Sequence, residues 1–211
     1  MEKVRKIKSA KNREEKEKIY EIQFKKYNIA IKNQFYLEAI SIVYAICEDK
    51  LKSFLYLSGC INRNLEVTKK YRKILRQIWK LDEKRKFGIN KISNKRTYIL
   101  NMLNWVKSEN LKLNFNNITN AKVQETFAFK LREKISKDVD INRLTNTINI
   151  LENWCELRNE IIHGLLNKNP NELDKNLEKC ATDGFKLAKE LETIVEQYEE
   201  GNNIRKELNI Q

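Results

Sequence analysis

Apolar residues recur every three or four positions over most of the chain, the spacing that places them on one face of an α-helix. The clearest case is the segment 34–58, in which one stripe contains eight apolar residues: Tyr36, Ile40, Val43, Tyr44, Cys47, Leu51, Phe54 and Leu55. Gly59 follows directly and is well placed to end this helix, because glycine readily adopts the left-handed conformation found at helix C-termini.

The same spacing predicts further helices along the rest of the chain, over 65–87, 94–109, 119–137, 141–166 and 171–198. Few residues interrupt them, since the 211 residues include only one proline and five glycines. Long helices with short connections predict an all-α fold, an antiparallel helical bundle. We expect one helical domain over 19–200, a charged N-terminal arm or solvated helix over 1–18, and a polar tail over 201–211.

Cysteine usage and the absence of long apolar runs bear on location. Cys47, Cys60, Cys155 and Cys180 form no C-x-x-C pair, so each is expected to pack as a small apolar residue in a reducing cytoplasm, without a metal or a disulfide. No apolar run approaches the roughly 20 residues that span a bilayer, and the charged N-terminus has no signal-peptide pattern. We therefore expect a cytoplasmic protein without a membrane partner.

The net charge of +13 is unevenly distributed. The segment 63–96 carries thirteen basic and three acidic residues, a net charge of +10, whereas 170–211 has a net charge of −4. A concentrated basic surface binds polyanions through counterion release, which favours a nucleic-acid partner. The alternative is compositional, since abundant Lys, Asn and Ile also accompany AT-rich coding sequence.

The candidate chemistry lies at the single histidine, His163, which ends the run Arg158-Asn159-Glu160-Ile161-Ile162-His163. Imidazole is the side chain whose unperturbed pKa lies nearest neutrality, so it can accept and return a proton. Arginine offers a planar fork of donors that fits a phosphate. Together they indicate phosphodiester chemistry without a metal or cofactor. The alternative is that His163 is an ordinary, partly buried histidine and Arg158 a structural ion-pair residue.

Helical geometry separates the two residues. At about 100° per residue, His163 falls with Asn159 in a polar stripe that also contains Glu152 and Glu156. The neighbouring, apolar sector consists of Leu151, Trp154, Cys155, Ile161, Ile162 and Leu165. Arg158 falls inside that apolar sector, where a guanidinium needs a partner. The predicted partner is Glu48, which borders the stripe of the 34–58 helix; the alternatives are a cleft or a second subunit.

The Arg-Asn-x-x-x-His form of this run resembles the motif of HEPN ribonucleases from bacterial toxin, abortive-infection and CRISPR effector systems. The earlier run 37–51 also resembles the first core helix of such domains. The resemblance implies a HEPN-like helical bundle, covering about two-thirds of the chain, that cleaves RNA without metal. In the implied mechanism His163 activates the ribose 2′-OH or protonates the leaving 5′-oxygen, and Arg158 stabilises charge on the phosphate. Asn159 would orient the imidazole or hold a phosphate oxygen, and the product would carry a 2′,3′-cyclic phosphate.

The resemblance also implies partners. The family usually builds its site from two motif copies facing each other across a dimer, so we expect a homodimer with a composite site, acting on RNA. An antitoxin or another defence-system protein is a further expected partner. The residues after His163 are Gly164-Leu165-Leu166, without the tyrosine that nucleotidyltransferase antitoxins modify, which argues against that antitoxin type. Two other functions stay open: a non-catalytic HEPN-like module that binds nucleic acid or a protein, and a helical interaction protein with an acidic C-terminal helix.

Overall fold

Eight α-helices and one short 3₁₀ helix form the described part of the chain in this computed structural model, which covers residues 13–62, 64, 66–82, 86–108, 113–115, 120–165, 170–201, 204–208 and 210. The helices are α1 (Arg13–Lys32), α2 (Tyr36–Leu57), α3 (Arg72–Ile78), α4 (Ile92–Lys107), α5 (Ala121–Asp138), α6 (Ile141–Gly164), α7 (Pro170–Glu200) and α8 (Ile204–Glu207), with the 3₁₀ helix Lys69–Tyr71 directly before α3. Within these residues the β-structure is limited to one isolated bridge. The predicted all-α bundle is confirmed.

Helices α6 and α7 lie antiparallel in the core of the bundle. Near the start of α6, Arg143 forms two hydrogen bonds with the Glu190 carboxylate, at 2.5 and 2.9 Å. Further along α6, the indole nitrogen of Trp154 donates to the backbone carbonyl of Cys180, at 2.8 Å. Later residues of α6 therefore contact earlier residues of α7, as the antiparallel prediction requires.

Helices α2 and α7 make the most extensive contact in the bundle and run in the same direction. The Lys50 ammonium lies 3.3 Å from the Glu192 carboxylate, and one turn further the Phe54 ring lies 4.7 Å from that of Tyr198. The bundle is thus mixed in direction rather than antiparallel throughout. The long stretch of chain between the two helices allows this, because it returns to the end from which α2 began.

The helix predicted over 65–87 is much shorter in the structure. Its helical part ends at Ile78, and two residues later Lys80 adopts a left-handed conformation, with a φ of 53°. The backbone N–H groups of Lys80 and Leu81 donate to the carbonyls of Gln77 and Arg76, which closes the last turn as a Schellman motif. This motif usually contains glycine, so the lysine gave no sign of an ending before Gly88. The prediction was wrong for 79–82 and 86–87, and its residues 83–85 lie outside the described part of the chain.

Helical structure continues beyond both ends of the predicted domain 19–200. Helix α1 already begins at Arg13, and the Lys16 ammonium bonds Ser53 and Asp49 of α2, at 2.7 and 2.9 Å. The remainder of the predicted N-terminal arm, 1–12, lies outside the described residues. Residues after Gly201 include the short helix α8, so the expected polar tail is partly structured.

Helix α8 packs on the loop that follows α2. Ile204 is buried, and the Arg205 guanidinium donates to the backbone carbonyls of Tyr56 and Ile61, at 3.0 and 2.9 Å. These carbonyls lie on either side of Gly59, which ends α2 with a φ of +70° as predicted. An arginine that donates to two backbone carbonyls, together with the buried Ile204, explains why a segment of polar composition is attached to the core.

Gly184 allows α7 to lie close to Trp154. A Cβ atom at this position would lie 2.6 Å from the Trp154 ring, far inside van der Waals contact. Gly184→Ala is therefore expected to lower the free energy of unfolding by about 1–3 kcal/mol through overpacking. Urea denaturation measures the loss. Thr193→Ala, at an exposed position of the same helix, is the matched control and should stay within about 0.5 kcal/mol of wild type. Equal stability of both variants would contradict the close contact.

Candidate functional site

Helix α6 carries the Arg–His run on its last two turns. The helix starts at a capped N-terminus, where the Asp140 carboxylate accepts a hydrogen bond from the backbone N–H of Arg143, at 2.9 Å. Its buried side includes Leu151 and Ile161, as the helical pattern predicted. The predicted polar stripe, Glu152, Glu156, Asn159 and His163, is exposed along its whole length.

The His163 imidazole lies on the exposed side of the final turn of α6. Within the described part of the chain it forms no hydrogen bond or ion pair. Asn159 lies one turn earlier on the same stripe and is also exposed. The two side chains that the resemblance associates with proton transfer and orientation are therefore accessible to a substrate.

Arg158 is held by an aromatic ring rather than by an acid. Its guanidinium lies over the face of Tyr44, 4.4 Å from the ring centroid, in a cation–π contact. One terminal nitrogen donates to the side-chain oxygen of Asn159, at 3.0 Å, while the buried Nε has no acceptor among the described residues. The Tyr44 ring in turn stacks against Trp154, with centroids 6.5 Å apart. Two aromatic side chains thus position the guanidinium beside the polar stripe.

The predicted Arg158–Glu48 pair does not form. The Glu48 carboxylate instead binds the ammonium groups of Lys95 on α4, at 2.8 Å, and of Lys52, at 3.4 Å. Lys95 is completely buried, so its charge requires an acceptor more strongly than that of the half-buried Arg158. The helical pattern gave no indication of this competitor, because which residue of α4 faces Glu48 depends on how two distant helices pack.

The lysines also determine the charge state of Glu48. Burial alone would raise the pKa of this carboxyl, but the hydrogen bond and charge of Lys95, with the charge of Lys52, outweigh burial and lower the pKa below its ordinary value. Burial lowers the pKa of Lys95, and the same hydrogen bond opposes that effect. Glu48 is therefore a carboxylate at neutral pH whose charge is already matched.

A cleft of about 380 Å³ lies between α2, α4 and α6 and contains two of the four predicted residues. Glu48 and Asn159 line it, together with Tyr44, Asn90, Lys91, Ile92, Ser93, Arg96, Cys155 and Glu156. Arg158 adjoins the cleft through its contacts with Tyr44 and Asn159, whereas His163 is one helical turn beyond Asn159 and does not line it. One copy of the chain therefore assembles only part of the predicted site.

Arg96 is the residue of this cleft that the sequence analysis missed. It is 8% exposed, and one terminal nitrogen donates to Glu152, at 3.1 Å. Its Nε and Nη1 have no acceptor among the described residues. The sequence does mark this residue, because Arg96 lies one turn after Ile92 on the apolar side of its helix. Arg158 is likewise a charged residue at an apolar position.

A second, larger groove of about 610 Å³ adjoins the cleft and shares Asn90 with it. Its lining includes four basic residues and one acidic residue: Lys69, Arg72, Arg76, Lys86 and Glu66. The guanidinium groups of Arg72 and Arg76 lie over the Phe87 ring, 5.7 and 4.5 Å from its centroid. The basic segment of the sequence thus forms a positively charged groove that contains an aromatic side chain.

Comparison with known proteins gave no assignment: no protein-family model, curated protein or solved structure matches the chain. Among the described residues, no three His, Cys, Asp or Glu side chains lie close enough together to hold a metal ion. The described helices also include none with the length and apolar character that crossing a bilayer requires.

Proposed function

We propose that this chain is a metal-independent endoribonuclease of HEPN type that acts as a toxin or an anti-phage defence effector. The observation that carries the proposal is the exposed pair Asn159 and His163 beside an arginine whose guanidinium is held over Tyr44. A fixed guanidinium and an accessible imidazole at the same end of α6 provide the two functions that phosphodiester transfer needs, charge stabilisation and proton transfer.

In the proposed reaction the ribose 2′-oxygen attacks the adjacent phosphorus. A bond forms between O2′ and phosphorus, and the bond from phosphorus to O5′ breaks. The 2′-OH loses its proton and the leaving O5′ gains one. One imidazole carries out one of these two transfers, and the imidazole of a second copy or a water molecule carries out the other. The Arg158 guanidinium stabilises the negative charge that develops on the phosphate oxygens. Asn159 accepts a hydrogen bond from this guanidinium and so orients the guanidinium. The products are a 2′,3′-cyclic phosphate and a 5′-hydroxyl.

A second copy of the chain would complete this site. Arg158 and His163 project about 140° apart around α6, so one helix does not direct both at the same phosphate. Three partly exposed apolar residues lie near Arg158 and His163 at the end of α6: Leu157 and Ile162 in its last turns, and Leu165 directly after it. A homodimer that covers these residues would bring a second Arg–His pair to the first, and RNA would bind across the two.

The test is RNA cleavage by the purified full chain in the presence of EDTA. We expect cleavage to continue without divalent metal and to leave 2′,3′-cyclic phosphate ends, identified by mass spectrometry of the fragments. Sedimentation of the same preparation is expected to show a dimer. Products with 3′-hydroxyl ends, or cleavage that stops when EDTA is added, would exclude the proposed chemistry.

The second candidate function is a non-catalytic module that binds nucleic acid. The groove containing Arg72, Arg76 and Phe87 favours it, because basic residues beside an aromatic ring bind single strands without requiring catalysis. Affinity for RNA that falls steeply with salt, together with no cleavage at any protein concentration, would favour this function over the ribonuclease.

A further inference from the structure

The N-terminus of α4 opens into the cleft without an acceptor of its own. Lys91 precedes the helix in an extended conformation, no side chain caps the helix, and its first turn has no acidic residue. The first backbone N–H groups of a helix have no partner within the helix, and the helix dipole adds partial positive charge there. Lys91, Ile92 and Ser93 all line the cleft, so the start of the helix borders a space suited to an anion.

Arg96 provides an independent indication at the same place. It lines the cleft one turn into α4, is more than nine-tenths buried, and has two nitrogen donors without an acceptor among the described residues. A guanidinium cannot lose its charge to escape burial, and unsatisfied buried donors are costly. An anion at the start of α4 would accept from the first backbone N–H groups of the helix and would lie beside the buried Arg96 charge.

We propose that this cleft binds a phosphate group of the RNA strand, through the N-terminus of α4 and the Arg96 guanidinium. The inference rests on the proposed function for its ligand and extends it by a phosphate site separate from Arg158 and His163. The cleft volume of about 380 Å³ lies within the usual range of ligand pockets, about 300–1,000 Å³. Through Asn90 the strand would continue into the basic groove.

The acidic residues of the cleft limit the ligand to a small negative charge. Glu48 is matched by Lys95 and Lys52, and Glu152 is matched by Arg96 itself. Glu156 is exposed and lines the cleft. Lys91 is the one further cation in the lining, so the cleft has little excess positive charge. A single phosphate therefore suits the cleft better than a polyphosphate does.

The test compares Ser93→Asp with Thr97→Asp in the full chain. Both residues are exposed on α4 and the two variants have the same net charge, but only Ser93 lines the cleft. Aspartate in the first turn complements the helix dipole, so Ser93→Asp should fold at least as well as wild type. We expect it to weaken phosphate affinity by about tenfold or more, because the new carboxylate repels the anion at short range.

Inorganic phosphate is the first ligand, measured by the rise in melting temperature relative to potassium chloride of equal ionic strength. Phosphate also stabilises proteins nonspecifically, but that effect is shared by all variants. We expect saturable stabilisation in wild type and Thr97→Asp that is lost in Ser93→Asp. Equal stabilisation of both variants would overturn the proposal.

RNA is the second ligand, and it distinguishes a phosphate within the strand from a phosphate at the 5′ end. His163→Ala protein is titrated with 5′-phosphorylated and 5′-hydroxyl RNA of one sequence, alone and combined with Ser93→Asp. Equal affinity for the two RNAs, weakened by Ser93→Asp, assigns the cleft to a phosphate within the strand, whereas preference for the 5′-phosphorylated RNA assigns it to a terminal phosphate. RNA affinity that Ser93→Asp leaves unchanged would overturn the proposal.

These measurements separate the phosphate site from the proposed function. Phosphate and RNA binding that Ser93→Asp weakens, in a protein that never cuts RNA, would support the site and overturn the ribonuclease. A protein that cuts RNA, but whose phosphate affinity is the same in Ser93→Asp and Thr97→Asp, would overturn the site alone.

Discussion

Replacing His163 with alanine is expected to lower the rate of RNA cleavage by about 10²–10⁴-fold, the usual contribution of a positioned general acid or base. The side chain is exposed on the last turn of α6, so its removal leaves no cavity in the core. Melting temperature and dimer content should therefore match wild type. The measurement is the initial rate of cleavage of a fluorescent RNA with EDTA present.

Arg158→Lys tests the other half of the proposed pair. Lysine retains the positive charge over Tyr44 but lacks the planar fork that binds two phosphate oxygens, so we expect a strong loss of rate at unchanged stability. Asn153→Ala is the matched control, since Asn153 is exposed on α6 outside the motif and should leave the rate unchanged. Wild-type rates in His163→Ala and Arg158→Lys would exclude the ribonuclease.

Glu48→Ala is expected to produce the largest loss of stability, about 3–5 kcal/mol, because it leaves a buried ammonium without its acceptor. Lys95 is completely buried, and its Nζ lies 2.8 Å from the Glu48 carboxylate. The measurement is the midpoint of urea denaturation. Lys52→Ala is the control, since Lys52 is more exposed and 3.4 Å away, and should cost at most about 1 kcal/mol.

The double variant Glu48→Ala/Lys95→Met identifies the cause of that loss. Methionine at position 95 removes the unpaired ammonium and keeps the apolar volume of the lysine side chain. This should restore most of the stability, since a buried ion pair and an apolar replacement are often similar in energy. If the double variant is as unstable as Glu48→Ala alone, the loss comes from packing around Glu48 rather than from the unpaired lysine.

The same pair predicts how stability depends on pH. The pKa of Glu48 in the folded chain is lower than its ordinary value, which for glutamate is about 4.3. The carboxylate therefore contributes its full stabilisation above that ordinary pKa and loses it as the pH falls through the lower folded value. The stability difference between wild type and Glu48→Gln should accordingly be constant near neutrality and shrink in acid.

The faces of the helices were predictable from the sequence, because each depends on spacing within one segment. Most of the predicted stripes of α2 and α6 is buried, with Tyr36, Tyr44, Ile162 and Leu165 only partly so, and the four cysteines are buried. The exposure of Asn159 and His163, and the anomalous position of Arg158 on the apolar side, followed from the same count of about 100° per residue.

Contacts between distant segments could not be predicted in this way. Glu48 was available both to Arg158 and to a lysine of α4, and only the packing of α4 against α2 shows that Lys95 binds it. The early end of α3 is likewise accompanied by a long-range contact, in which the Asn101 amide on α4 donates to the Trp79 carbonyl, at 2.8 Å.

The sequence by itself determined an all-helical chain, the buried side of its main helices, and an exposed imidazole with an arginine nearby. Only the tertiary structure decided that Tyr44 holds that arginine, and that Arg96 and the uncapped start of α4 meet Asn159 in one cleft. The physical reason is that helical periodicity fixes the direction of a side chain around its own axis. The choice among competing charged and aromatic partners depends on which faces of distant helices pack together.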